Sequence, residues 1–273
     1  MKFLKLAFDF YLNASIHVAF SVYAFLRITE IYFELDYNQN LNYFIFFGTI
    51  TGYNFVKYAG VAKLHHRSLA KGLRNIQIFS FLCFLAMSYF MYQVSLKTLY
   101  FTLPFILLTI LYAVPFLSGF AKNLREVSYL KIIVVAIVWA GFTVLIPLID
   151  SGKEIDLNSV LIMIQRLLIV IVLILPFDIR DVKYDAISLQ TIPKKIGIEK
   201  TKKLGLMLLI FSLILEYLVA SLSIVITPFM LFFFLLIIFL MRAKIEQYKY
   251  YSSFLVETLP IVWWLLLLGF LNF

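Results

Sequence analysis

The chain has 273 residues, of which 63% are hydrophobic, 18% aromatic and only 14% charged, with a mean hydropathy of +0.96. Charged residues make up about a quarter of an ordinary soluble domain, so this composition excludes one and calls for a bilayer as solvent. The net charge of +9 does not point to nucleic acid, because the basic residues flank apolar stretches, where topology and anionic headgroups account for them.

The first twenty residues, MKFLKLAFDFYLNASIHVAF, have the basic start of a signal peptide. Asp9 and Asn13 interrupt the apolar region and no clean small-x-small cleavage site follows, so the segment is read as a retained first helix. Nine apolar stretches come near the length that crosses about 30 Å of hydrocarbon, at approximately 13–28, 42–58, 76–93, 98–119, 127–149, 158–177, 203–225, 227–241 and 254–272. The eighth is short, and Thr227-Pro228 marks a break between it and the seventh. Counting sides alternately from an inside N-terminus places 20 of the 24 lysines and arginines on one side, which sets the N-terminus inside and the C-terminus outside a cytoplasmic or inner membrane. The outer loops at 27–41 and 150–157 carry Glu30, Glu34, Asp36, Asp150, Glu154 and Asp156, in keeping with that orientation. With no linker, low-complexity tract or soluble segment, residues 1–273 read as one all-α polytopic domain. The single cysteine, Cys83, lies in the third stretch and allows no intramolecular disulfide.

Polar residues that interrupt these spans are the candidates for chemistry. At the inner end of the second span, GYNFVKYAGVA (52–62) carries Asn54 and Lys57, and no acid occurs from Leu41 to Asn75. His65 and His66 follow, but adjacent helical residues point apart, so a basic headgroup-facing loop explains them better than a metal pair. LYAVPFLSGFAKNLREVSYLK (111–131) places Tyr112 and Pro115 at the inner end of the fourth span and Arg125 and Lys131 around the start of the fifth. Lys131 either snorkels to the headgroups or holds an anion between helices. Arg166 and Glu216 lie at similar depth in the sixth and seventh spans, and a structural ion pair between them is expected.

The sixth span runs into FDIRDVKYD (177–185). If the helix continues past Pro176, Asp178, Asp181 and Asp185 stand at i, i+3 and i+7 on one face. Three carboxylates gathered at a membrane boundary repel one another and require positive compensation. Mg²⁺ answers that need, since it takes oxygen ligands from one or two carboxylates together with substrate phosphates. The alternative is a solvated helix end whose acids alternate with Arg180 and Lys183. Glu257, near the inner end of the last span, either touches a ligand at the same level or faces the loops.

Taken together, these segments resemble the UbiA superfamily of intramembrane prenyltransferases over most of the chain. The most specific part is DIRDVKYDAISLQTIPKKIG (178–197), which is similar to the family's second motif, D-x-x-D-x-x-x-D, followed by a Thr-x-Pro-x-x-x-Gly segment, here Thr191, Pro193 and Gly197. The Tyr112, Pro115, Arg125 and Lys131 pattern is similar to the family's fourth-to-fifth helix sequence. The resemblance implies nine transmembrane helices bundled around a central cavity open to the cytoplasmic side. It also implies a Mg²⁺-dependent transfer of a prenyl group from a prenyl diphosphate to an aromatic or other lipophilic acceptor. On that pattern Asp178, Asp181 and Asp185 hold Mg²⁺, Lys57, Lys131, Arg125 and Lys194 hold the diphosphate, and Asn54 and Tyr112 orient it beside the reacting carbon. The family's first motif, Asn-Asp-x-x-Asp-x-x-x-Asp, is degenerate here: after Asn54 its acidic positions are Phe55, Tyr58 and Ala62. Two outcomes follow. Either the aspartates of the second motif suffice for ionisation, or the chain binds an isoprenoid lipid or scaffolds a membrane complex without turnover.

Overall fold

A computed structural model describes residues 2–58, 71–114, 130–183, 191–219 and 223–271, and every regular element among them is helical. Helices α1 (Lys2–Asn13) and α2 (Ile16–Tyr32) are bent 54° from each other at Ala14 and Ser15. They are followed by α3 (Gln39–Tyr58), α4 (Lys71–Gln93) and α5 (Leu96–Ala113). Helix α6 (Leu130–Ala140) passes through a π-helical turn at Gly141–Leu145 into α7 (Ile146–Asp150). Then come α8 (Leu157–Asp181), the short α9 (Ile192–Ile196), α10 (Ile198–Val219) and α11 (Ser223–Arg242). A second π-helical turn, Tyr251–Val256, leads into α12 (Leu259–Leu271).

Among the described residues six helical runs are long and apolar enough to cross a membrane: α4, α5, α6 with α7, α8, α11, and the run from Tyr251 to the end of α12. The bent pair α1 and α2 raises the number to seven if it is one span. The expected count of nine is therefore not reached on that criterion. Helices α3 and α10 do occupy the second and seventh stretches, with 20 and 22 residues, but their polar side chains lower their apolarity. Several of these side chains are buried, Asn42 and Asn54 in α3 and Lys202, Ser212 and Glu216 in α10, which is where a bilayer tolerates them.

Neighbouring helices close into a ring. Helix α2 packs on α3, α3 on α5, α5 on α6, α6 on α8, α8 on α10, α10 on α11, α11 on α12, and α12 back on α2, while α4 lies against α3 with most of its side chains exposed. Phe25, Ile146, Ile169, Leu175, Phe232 and Trp263 fill the core, whereas Phe81, Leu107, Phe211 and Phe234 point outward, as suits a hydrocarbon surrounding. Lipid tails are as apolar as leucine, so helix association rests on close packing and polar contacts. At Gly205 in α10, an added Cβ would come within 2.7 Å of Leu240 and 2.8 Å of Leu175, so glycine lets three helices meet. Asp156 caps α8, accepting from the Ser159 backbone at 2.8 Å and its hydroxyl at 2.6 Å. Those bonds hold its carboxyl below the usual range.

The expected pair between Arg166 and Glu216 does not form directly. Arg166 donates to the Phe25 carbonyl at 2.7 Å and lies 4.3 Å over the Phe25 ring and 5.6 Å over that of Trp263. Glu216 accepts instead from Tyr32 Oη at 2.6 Å and Gln165 Nε2 at 2.7 Å. The two charges are met separately, Arg166 by a carbonyl, the Thr143 hydroxyl at 3.4 Å and ring faces, Glu216 by neutral donors.

Candidate active site

Helix α8 does continue past Pro176, and Asp178 and Asp181 stand one turn apart near its end. Asp185 lies outside the described residues, as do Arg125, His65 and His66. Asp178 is 1% exposed and forms an ion pair with Lys131 at 2.8 Å, so the lysine in the first turn of α6 meets an acid of α8 instead of turning to headgroups. Asp181 is paired with its neighbour Arg180, whose Nε and Nη2 donate to its two oxygens at 2.7 and 3.1 Å.

Both acids line a cavity of about 490 Å³ at the end of the ring where α3, α8 and α11 finish and α2, α6 and α12 begin. Val135, Val170, Leu173, Phe177 and Pro260 give it an apolar wall. Tyr112 faces it from α5, almost wholly buried. Tyr53 and Trp139 also line it, held together by a 2.8 Å hydrogen bond from Trp139 Nε1 to Tyr53 Oη.

Lys57 reaches the same cavity from the last turn of α3. Its ammonium donates to Ser15 Oγ at 2.9 Å, and Ser15 donates onward to Asn54 Oδ1 at 2.8 Å. Ser15 sits in the left-handed region, φ 61° and ψ 22°, at the bend between α1 and α2. A non-glycine residue there costs roughly 1–2 kcal/mol, so the contacts around it must fix the bend. Asn54 supplies them, donating one amide proton to the Ala14 carbonyl at 3.0 Å and the other to Ser80 Oγ at 2.7 Å. It is 3% exposed and is not among the residues that line the cavity: one amide proton goes to the bend and the other to Ser80 of α4. Lys194 lies half-buried on α9 and is not part of the wall.

Several lining residues escaped sequence reasoning. Asp9 of α1 accepts from Lys249 and Tyr250, each at 2.7 Å, across 240 residues of chain. The bonds to Asp9 and then Tyr250 raise the Lys249 ammonium above its ordinary pKa. In the sequence Asp9 appeared only as an interruption of an apolar run. Tyr53 and Trp139 carried no signal either, since aromatic residues are common throughout. Glu257 lines the cavity, which resolves its position toward the site.

Among the described residues no group of three or more acids, histidines or cysteines could hold a metal. Asp178 and Asp181 nevertheless fit Mg²⁺, a hard ion that takes one or two carboxylates and completes its shell with water and phosphate oxygens. The adjacent Lys131 and Arg180 are cations of the kind that pair with phosphate oxygens.

No protein-family model and no curated protein matches the sequence. Solved structures do match. A UbiA homolog from Archaeoglobus fulgidus bound to DMAPP and Mg²⁺ superposes with a TM-score of 0.59 at 13% identity, covering 96% of this chain and 99% of that one. The same homolog bound to GPP and Mg²⁺ gives 0.59 at 14% identity over 97% and 100%, and a further structure of it gives 0.53 at 11% identity over the full length of both. End to end, this chain has the fold of the UbiA homologs.

Proposed function

We propose that the protein is a member of the UbiA superfamily and an integral-membrane prenyltransferase, moving a prenyl group from a prenyl diphosphate to a lipophilic acceptor. The observation that carries this reading is the joint placement of Asp178, Asp181, Lys131 and Arg180 at the mouth of an apolar, aromatic-walled cavity. The likeness to a UbiA homolog bound to DMAPP or GPP with Mg²⁺ supports it.

The chemistry asks for a leaving group whose charge is neutralised and a chain kept from water. Bound Mg²⁺ would supply much of that neutralisation as the diphosphate departs. Asp178 and Asp181 would hold the ion, with Asp185 as a third donor. Lys131 and Arg180, which line the same cavity, would stabilise the charge that develops on the departing oxygens. Tyr112 would face the reacting carbon. Phe177, Trp139 and Leu173 would shield the allylic cation from water until the acceptor captures it. The cavity would open to the cytoplasm, with the N-terminus inside and the C-terminus outside.

The absence of acids at the first motif positions after Asn54 favours one second reading, a member that binds isoprenoid lipid without turnover. Incubating the purified protein in lipid with radiolabelled prenyl diphosphates of several lengths, Mg²⁺ and a membrane extract separates the two. Labelled product that disappears in Asp181→Ala is expected; tight binding with no product would select the non-catalytic reading. Asp181 is the better position to change because it is half-exposed, whereas loss of the buried Asp178 removes the partner of Lys131 and risks the fold.

A further inference from the structure

Four acids line the cavity, Asp9, Asp178, Asp181 and Glu257, and so do four bases, Lys57, Lys131, Arg180 and Lys249. Three acids are taken by three bases: Asp178 by Lys131 at 2.8 Å, Asp181 by Arg180 at 2.7 Å and Asp9 by Lys249 at 2.7 Å. Glu257 and Lys57 remain. Among the described residues no donor reaches the Glu257 carboxylate, whose residue is bonded only through its backbone, and Lys57 donates only to Ser15. Both side chains line the one cavity, and no ion pair joins them.

The position of Glu257 is built, not incidental. Ser21 Oγ of α2 donates to its carbonyl. One turn earlier His17 Nε2 lies 3.0 Å from the Phe254 carbonyl and 3.1 Å from Thr258 Oγ1, with Tyr11 Oη 2.8 Å from His17 Nδ1. The π-helical turn Tyr251–Val256 delivers the residue, and such turns concentrate at functional sites. A carboxylate and an ammonium facing one gap suit a ligand group that donates to the first and accepts from the second, and a hydroxyl does both. A carboxylate ligand would meet Glu257 with like charge, and an amine would meet Lys57. Tyr53, Trp139 and Pro260 beside them suit an apolar body.

We propose that Glu257 and Lys57 form an acceptor subsite that takes a lipophilic alcohol or phenol by its hydroxyl, with Glu257 as the base that receives its proton. The subsite assigns Lys57 to the acceptor in place of the diphosphate. The proton step rests on the prenyl-transfer reading above. In it the bond from the allylic carbon to the diphosphate breaks with its electron pair on the diphosphate, and the acceptor oxygen bonds to that carbon. The hydroxyl proton passes to a Glu257 Oε, from which solvent removes it.

The test compares binding of 1-naphthol and 1-methoxynaphthalene, matched in size and apolarity, to the full chain in lipid nanodiscs, with empty nanodiscs subtracted. Wild-type protein is expected to prefer the naphthol by at least about tenfold, the worth of a charged hydrogen bond. Glu257→Gln, whose amide oxygen is a weaker acceptor, should reduce that preference severalfold, Lys57→Met should weaken both probes alike because each presents an acceptor oxygen, and Glu246→Gln, on the exposed Lys183 pair, should leave both readings intact. Bound naphthol should emit as naphtholate in the wild type and as neutral naphthol in Glu257→Gln, because its excited state gives its proton to a nearby base. Equal binding of the two probes by the wild type needs no variant to interpret and overturns the proposal. A preference that keeps its wild-type size in Glu257→Gln, or probe affinities unchanged in Lys57→Met, overturns it as well. Binding of geranyl diphosphate with Mg²⁺, measured in the same samples, keeps the readings apart. Its absence beside an intact hydroxyl preference would remove the transfer step and leave the subsite standing.

Discussion

Arg166 is 1% exposed in the middle of α8, and its charge is met by a carbonyl and two aromatic faces. The planar guanidinium can stack on Phe25 and Trp263 while donating in its own plane; a lysine ammonium is a compact, strongly hydrated charge that cannot do both. Arg166→Lys, which preserves the charge, should therefore cost about 2 kcal/mol, the scale of a desolvated cation–π contact. The check is the thermal midpoint of the detergent-solubilised protein, with Lys203→Arg at the end of a basic run as a control. An unchanged midpoint in Arg166→Lys would mean that charge alone, not shape, holds this residue. The same residue shows what sequence reasoning lacked: Arg166 and Glu216 could be placed at one depth by counting turns, but not in azimuth, so a direct pair was expected where two separate sets of partners exist.

At the scale of elements, the two π-helical turns mark where a regular helix would fail. Gly141 opens the first, and an added Cβ there would run into the Phe105 ring of α5 more closely than any real contact allows. Gly141→Ala should destabilise the protein by about 1–3 kcal/mol, the usual cost of overpacking a filled interior. Gly269→Ala in α12, where an added Cβ meets nothing within 4 Å, should not shift the unfolding midpoint. Matching midpoints for the two variants would show that α5 and the turn are not in close contact. The second turn aims Glu257 at the cavity, and no periodicity in YYSSFLVETLP announces it. A π-helical turn depends on which neighbours take its backbone and side chains, here His17 and Ser21 of α2.

For the molecule as a whole, apolar runs located most of the long helices within a few residues, because a bilayer demands about 20 apolar residues per crossing. Helices α3 and α10 fell short on that criterion since their interior-facing polar residues dilute the run. In the site, Asp178 and Asp181 were legible as a stripe of one helix, and Lys131 as a charge too deep in an apolar run. Asp9 with Lys249, and Lys57 with Ser15, were not, because each joins parts of the chain that only the closed ring brings together. Asn54 was legible as a special residue but not in its contacts, which tie the bend before α2 to α4.

The central claim is that the acids of α8 gather a divalent cation and a diphosphate at one cavity mouth. Equilibrium binding of radiolabelled geranyl diphosphate to the purified protein in nanodiscs, with and without Mg²⁺, tests it most directly. Saturable binding that requires Mg²⁺ and weakens by at least about tenfold in Asp181→Ala is the expected result. Binding that is the same without Mg²⁺, or the same in the variant, would contradict the account.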